Sequence, residues 1–156
     1  MAAAHDDGPV LFAYDGSEQA KAAIREAADQ LGAHRHAIVL SVWQPLAALP
    51  FAGVSRVPPP DLEADMQDEA AKVADEGARL ARSVGFAARP LAETGDPVWR
   101  AIVDAADAHD AGIVVLGSHG RSGIGLAVMG SVASAVARHT TRPVLIVHGT
   151  PAERAA

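Results

Sequence analysis

Four short stretches of this chain are apolar on both sides of the alternation that marks a half-exposed strand: Pro9–Tyr14 (PVLFAY), Ala37–Trp43 (AIVLSVW), Gly112–Gly117 (GIVVLG) and Pro143–His148 (PVLIVH). A strand covered on one face alternates apolar and polar residues, whereas one buried on both faces reads as a continuous apolar run, the pattern of a parallel sheet under helices. A fifth run, Phe86–Leu91, is interrupted by Arg89 and Pro90. Proline cannot donate to a ladder on both sides, so this strand belongs at an outer edge.

Helical periodicity fills the intervals between these runs. Ala20, Ile24, Ala27, Ala28 and Leu31 form one stripe, opened by Asp15-Gly16-Ser17 and stopped by Gly32. Leu62, Met66, Ala70, Val73, Gly77, Leu80 and Val84 form a longer one, ended by Gly85. The polar face of that longer helix mixes acids and bases, as expected for packing on a sheet rather than on a membrane. Asp96 and Pro97 read as a cap with proline at the first helical position, ahead of Val98, Ile102, Ala105 and Ala106, with His109 as the close. Met129, Val132 and Val136 mark a last helix, broken by Thr141-Arg142-Pro143. The β-α-β-α-β-α-β-α-β series predicts an α/β fold, a five-stranded parallel sheet with helices on both faces.

Residues 9–149 are expected to form one domain, with residues 1–8 and 150–156 as flexible ends. Pro45, Pro50, Pro58, Pro59 and Pro60 make the intervening segment a long loop, either a lid or a surface insertion.

Composition excludes several classes of function. A formal charge of −6 with only 4% aromatic residues argues against a nucleic-acid partner, which needs a basic face or stacking rings. Without cysteine there is no disulfide, thiol nucleophile or zinc knuckle. No long apolar run or signal-like N-terminus occurs, so a cytoplasmic protein without a membrane partner is expected. The only lysines, Lys21 and Lys72, lie in predicted helices, so no phosphate-binding Gly-Lys-Ser/Thr loop exists. The first strand-to-helix turn lacks the dinucleotide glycines, and neither G-x-S-x-G nor H-E-x-x-H occurs. His34 and His36 are too few for a metal site without further ligands nearby.

In an open α/β sheet, ligands bind beyond the carboxyl ends of the strands where strand order reverses. With the order 3-2-1-4-5, that point brings Asp15 beside the loop Gly117-Ser118-His119-Gly120-Arg121-Ser122-Gly123-Ile124-Gly125, which runs on to Gly130-Ser131. Glycines allow positive φ and close main-chain approach, so successive N–H groups can face one anion at a helix start. The same composition also suits a tight strand-to-helix turn. Asp15 and Ser131 each have a capping alternative, Arg121 a solvated one, and His119 has no base partner visible in the sequence.

Gly117, two residues, Gly120, nine residues and then Gly130-Ser131 reproduce the spacing G-x2-G-x9-G-[S/T]. With Tyr14-Asp15-Gly16-Ser17-Glu18 after the first strand and Pro143–Val147 as the last, the chain resembles the universal stress protein family, ATP-binding type, from Pro9 to Gly149. The resemblance implies a Rossmann-like, adenine nucleotide alpha hydrolase-like fold. It implies that Asp15 meets the ribose or adenine side, that the main chain of Val42 bonds adenine, and that Ala13 lines the same wall. It further implies that Gly117, Gly120 and Arg121 hold phosphates and that Gly130, Ser131 and Val132 complete the cradle. Mg2+ would arrive with the phosphates. Homodimerisation through strand 5, at Val144, Leu145, Ile146 and Val147, is also implied.

The resulting expectation is an ATP-binding, nucleotide-dependent regulatory module of the stress response, with an unidentified protein partner and no dedicated catalytic residue. The alternatives are a dimeric interaction module that binds no nucleotide, a slow ATP-hydrolysing enzyme, and a cyclic AMP binder.

Overall fold

A computed structural model describes residues 8–32, 34–48, 59–120 and 129–149. The central part of the Pro45–Pro60 loop, both chain ends and Arg121 lie outside the described residues.

The elements are β1 (Val10–Ala13), α1 (Glu18–Leu31), β2 (His36–Trp43), a 3-10 turn at Leu46–Ala48, α2 (Leu62–Ser83), β3 (Ala87–Thr94), α3 (Val98–Ala108), β4 (Ile113–Gly117), α4 (Ser131–His139) and β5 (Val144–Val147). The five strands form one sheet in the order β3-β2-β1-β4-β5. Every pairing is parallel. This is the doubly wound order expected from the sequence, and it places the reversal between β1 and β4.

Alternation along the strands builds two cores. Val10, Phe12 and Tyr14 face the side covered by α1 and α2, with Val39, Ile24 and Ala78. Leu11 faces the other side, with Ile38, Leu40, Val114, Leu116 and residues Ile102, Ala106 and Val136 of α3 and α4. Phe12 and Phe86 meet edge to face at 5.2 Å. Elsewhere small residues set the spacing: α2 buries Ala70, Ala74, Gly77, Ala78 and Ala81. A Cβ on Gly77 would stand 2.7 Å from both Tyr14 and Val39, so glycine lets the helix settle onto the sheet despite a propensity cost of about 1 kcal/mol.

Three local expectations change. β3 runs on to Thr94, pairing with β2 along its whole length, because Pro90 sits on the outermost strand where a missing donor is tolerated. Asp96 does not cap α3: Pro97 occupies the capping position without a side-chain bond, and the Asp96 carboxylate instead accepts from Gln44 Nε2 at 3.2 Å. In α4 the buried residues are Ala133 and Val136, while Val132 is turned outward and 36% exposed.

Arg142, read in the sequence only as part of a helix break, joins the start of β5 to the end of α3. Its guanidinium meets Asp107 at 3.1 Å and Asp110 at 2.7 Å, and donates to the Ala111 carbonyl at 2.9 Å. Among the described residues no helix is long and apolar enough to cross a membrane.

Candidate functional site

A cleft of about 450 Å3 opens beyond the carboxyl ends of the central strands, on the side of α3 and α4. Its volume lies within the range of roughly 300–1,000 Å3 usual for small-molecule sites.

One end is apolar, walled by Ala13, Leu40, Val42, Val98, Ile102 and Leu116. The last rung between β1 and β2 is Tyr14 N–H to the Leu40 carbonyl at 2.9 Å. Main-chain groups alternate sides along a strand, so those of Val42 point the same way as those of Leu40, past the end of β1. They present a donor and an acceptor at the apolar wall. Gln44 stands beyond them at the cleft, its amide held by Asp96.

The other end is polar. Asp15 Oδ1 accepts the Ser17 N–H at 2.9 Å, and Ser17 Oγ accepts the Ala20 N–H at 3.1 Å. Ser17, rather than Asp15, therefore caps α1, and Asp15 secures the turn in which Gly16 takes φ +80°. Asp15 Oδ2 is turned to the loop after β4, where a Cβ on Gly120 would stand 2.5 Å from it.

That loop is tied down from several directions. Ser118 N–H donates to the Val147 carbonyl at 2.9 Å, and Gly130 N–H donates to the Ser118 carbonyl at 2.7 Å. Gln19 Oε1, from the first turn of α1, accepts the His119 N–H at 2.9 Å and lies 3.3 Å from Ser118 Oγ. Ser118, almost wholly buried, also contacts His119 Nδ1 at 3.1 Å.

The motif glycines are needed for close approach rather than for unusual dihedrals. Among the described glycines only Gly16, Gly32 and Gly85 have positive φ. At Gly117 a Cβ would meet Gln19 at 3.1 Å, and at Gly130 it would meet the Ser118 carbonyl at 2.8 Å. Of the two reasons expected for the loop glycines, positive φ and close approach, Gly117, Gly120 and Gly130 show only the second: a Cβ would press on α1 at Gly117, on the Asp15 carboxylate at Gly120 and on the loop itself at Gly130.

Gly130, with φ −59°, is the capping residue of α4, and Ser131 is its first helical residue instead of its cap. The first intrahelical bond is Ser134 N–H to the Gly130 carbonyl at 2.9 Å. The N–H groups of Ser131, Val132 and Ala133 therefore stand at the cleft without partners inside the helix, at its positive end. Such a helix start accommodates an anion.

Behind the polar end, Tyr14 donates its hydroxyl to Glu76 Oε1 at 2.8 Å, and Lys21 lies 3.3 Å from the same oxygen. Burial, reinforced by the bond to Glu76, pushes the Tyr14 phenol well above its ordinary value. The bonds from Tyr14 and then Lys21 hold the Glu76 carboxyl below the ordinary carboxylate range.

The cleft thus brings together Ala13, Asp15, Val42, Gly117, Gly120, Gly130, Ser131 and Val132, residues up to 119 positions apart by subtraction of the outermost numbers (132 − 13). Val144, Leu145, Ile146 and Val147 form the edge strand β5, with side chains half-buried against both cores. Gln19 and Gln44 escaped the sequence reading, while Tyr14 and Ser118 entered it only as members of the runs Tyr14–Glu18 and Gly117–Gly125, with no role of their own.

A family model described as the universal stress protein family matches residues 8–148. A universal stress protein of Mycolicibacterium smegmatis is 32% identical over 151 residues, covering 93% of this chain and 47% of that protein. The chain thus spans about half the length of that curated relative. A hypothetical protein solved as a structural-genomics test case superposes with TM-score 0.74 at 24% identity, covering 92% of this chain and 97% of its own. The universal stress protein of Archaeoglobus fulgidus in complex with dAMP superposes with TM-score 0.60 at 25% identity, covering 89% and 96%. By the family match across nearly its whole length and by its fold, the chain belongs to the universal stress protein family.

Proposed function

We propose that residues 9–149 form one nucleotide-binding domain that takes up ATP in the cleft and uses it as a bound regulatory signal. The observation that carries this reading is the meeting of Asp15 and Gly120, which unites the first strand-to-helix turn and the glycine motif around one cavity with an apolar wall. Adenine fits between Ala13 and Ile102 with its hydrogen-bonding edge on the main chain of Val42, and Asp15 meets the ribose. Phosphates lie along Gly117, Gly120 and the start of α4 at Gly130, Ser131 and Val132, with Arg121 and Mg2+ as further countercharge. The dAMP complex of the Archaeoglobus fulgidus relative supports an adenine nucleotide as the ligand class.

The module acts in the cytoplasm as a homodimer joined along β5. Pro143 O and Val147 O bond to β4, so alternation turns the main-chain groups of Val144 and Ile146 to the open edge. An unprotected edge of this kind pairs readily with a second strand.

Calorimetric titration with ATP and magnesium, alongside ADP, AMP and cyclic AMP, tests the ligand. Saturable heat is expected, lost in Gly130→Val, whose Cβ overlaps the Ser118 carbonyl. No heat from any nucleotide overturns the reading in favour of an interaction module.

A further inference from the structure

We propose that a second cavity, at the amino ends of β1, β2 and β3, binds a small organic carboxylate through the Arg89 guanidinium. The cavity shares no lining residue with the nucleotide cleft and stands independently of the nucleotide reading. Its volume is about 500 Å3, and Pro9, His36, Ile38, Ala88, Arg89 and His109 are among its lining residues.

Strand register gathers these residues on one face. Ile38 belongs to the core under α3 and α4, and His36, two positions earlier on β2, points to the same side. Arg89 is the partner of Ile38 across the β2–β3 pairing and therefore shares that face. There α3 packs Ile102, Ala105 and Ala106, and Leu91 of β3 joins the same core, whereas Arg89, nearer the amino end of the strand, is left exposed. An outer edge accounts for a polar residue at this position. It does not account for where the guanidinium is held.

That group is positioned without being neutralised. Arg89 Nη2 meets His109 Nδ1 at 3.2 Å, and since arginine only donates, Nδ1 is the acceptor. The contact anchors the guanidinium at the end of α3 and leaves the rest of its fork of N–H donors open. Among the described residues no carboxylate pairs with Arg89. Asp107 and Asp110, on either side of His109 in the chain, are taken by Arg142 at 3.1 Å and 2.7 Å. Two further guanidiniums stand behind the lining: Arg35 donates to the Gly8 carbonyl, next to Pro9, at 3.0 Å, and Arg82 Nε donates to the Ala88 carbonyl at 2.9 Å. Cationic charge is thus gathered at this end of the sheet in a chain whose formal charge is −6.

The chemistry of the lining selects the ligand. A guanidinium offers two parallel N–H groups that match the two oxygens of a carboxylate, and Pro9, Ile38 and Ala88 receive an apolar body. Helix α3 ends here with His109 as its C-cap, and the carbonyl end of a helix carries partial negative charge. That charge works against a dianion such as phosphate and leaves a monoanion with one planar acceptor group. A volume of about 500 Å3 accommodates one compact ring or branched chain beside the carboxylate.

The test is an amide NMR titration of the whole chain with benzoate at constant ionic strength, run beside neutral benzamide and inorganic phosphate. The expected result is saturable shifts at the amides of Ile38, Ala88, Arg89 and His109, with benzoate bound about tenfold more tightly than either control. Arg89→Gln alters an exposed side chain on an edge strand, so it should keep a dispersed spectrum and weaken benzoate by about tenfold. If that variant loses its dispersion, Arg89→Lys makes the same comparison, with affinity reduced because lysine lacks the fork. The absence of saturable benzoate shifts overturns the proposal, as do shifts confined to the nucleotide cleft. Equal affinity for benzamide or phosphate, or undiminished benzoate affinity in the folded variant, overturns it as well.

Discussion

Asp15 Oδ2 lies 2.5 Å from the point that a Cβ on Gly120 would occupy, so the carboxylate that organises the first turn also sets how close the glycine loop can come. The contact links residues 105 positions apart (120 − 15) across the β1–β4 reversal. A side chain at this loop position would press on the Asp15 carboxylate, although the backbone there is not left-handed. The remaining glycines of the motif obey the same logic with other neighbours.

Gly120→Ala should therefore separate binding from folding. The added methyl group pushes the loop away from Asp15, while both hydrophobic cores remain intact. We expect affinity for ATP to fall by tenfold or more, about 1.4 kcal/mol, with the urea midpoint little changed. Calorimetry and chemical denaturation on the same preparation check both halves.

Asp15→Asn probes the carboxylate itself. The amide oxygen can still accept the Ser17 N–H, so the turn and the Ser17 cap should survive. The negative charge is lost on the side facing Gly120. Near-native thermal stability with weakened ATP binding is the expected pair of results, and unchanged affinity would remove Asp15 from the ligand site.

Tyr14→Phe removes the hydroxyl bonded to Glu76 while keeping the ring on Val39 and Gly77. The loss should be about 1 kcal/mol, the net value of a typical hydrogen bond. Burial of Tyr14 and its bond to Glu76 together impose two pH limits. Glu76 is held below its ordinary value of 4.5, so its contribution is present above that pH and disappears as pH falls through the depressed folded value. The Tyr14 phenol is held above its ordinary value of 10.0, so its contribution is present below that pH and is lost as pH rises through the raised folded value. Urea unfolding against pH should therefore show a wild-type advantage over Tyr14→Phe that shrinks at both extremes.

Ile146→Pro tests the edge of β5. The residue's N–H points to the open side, so its loss leaves the ladder to β4 in place, whereas a second strand could no longer pair there. Leu145→Asp is a poorer test, because Leu145 packs against the core shared by α1 and α2. Light scattering should report a folded monomer for Ile146→Pro. A folded dimer of unchanged affinity would move the interface away from β5.

The order of elements and the place of the cleft were legible in the sequence because both depend on local patterns. Strands buried on both faces write themselves as apolar runs, helices as a repeating stripe, and an edge strand as the place where Arg89 and Pro90 are admitted. The glycine spacing marked the loop, and the handedness of parallel crossovers brought it to Asp15. The errors were local contests between acceptable partners. Asp96 had the appearance of a cap, but its carboxylate found the Gln44 amide, 52 positions away. The capping alternative for Ser131 fell to Gly130, where a Cβ would stand 2.8 Å from the Ser118 carbonyl.

By itself, then, the sequence determined the periodicities, the turns and the glycines, since these express the conformational preferences and burial of residues close together in the chain. Only the tertiary structure decided what each of them serves. Gln19 clamps His119 from 100 positions away, and Tyr14 reaches Glu76 across 62. A side chain's hydrogen-bond partner depends on distances that exist only once the sheet has brought separate loops to one end, and no spacing along the chain encodes them.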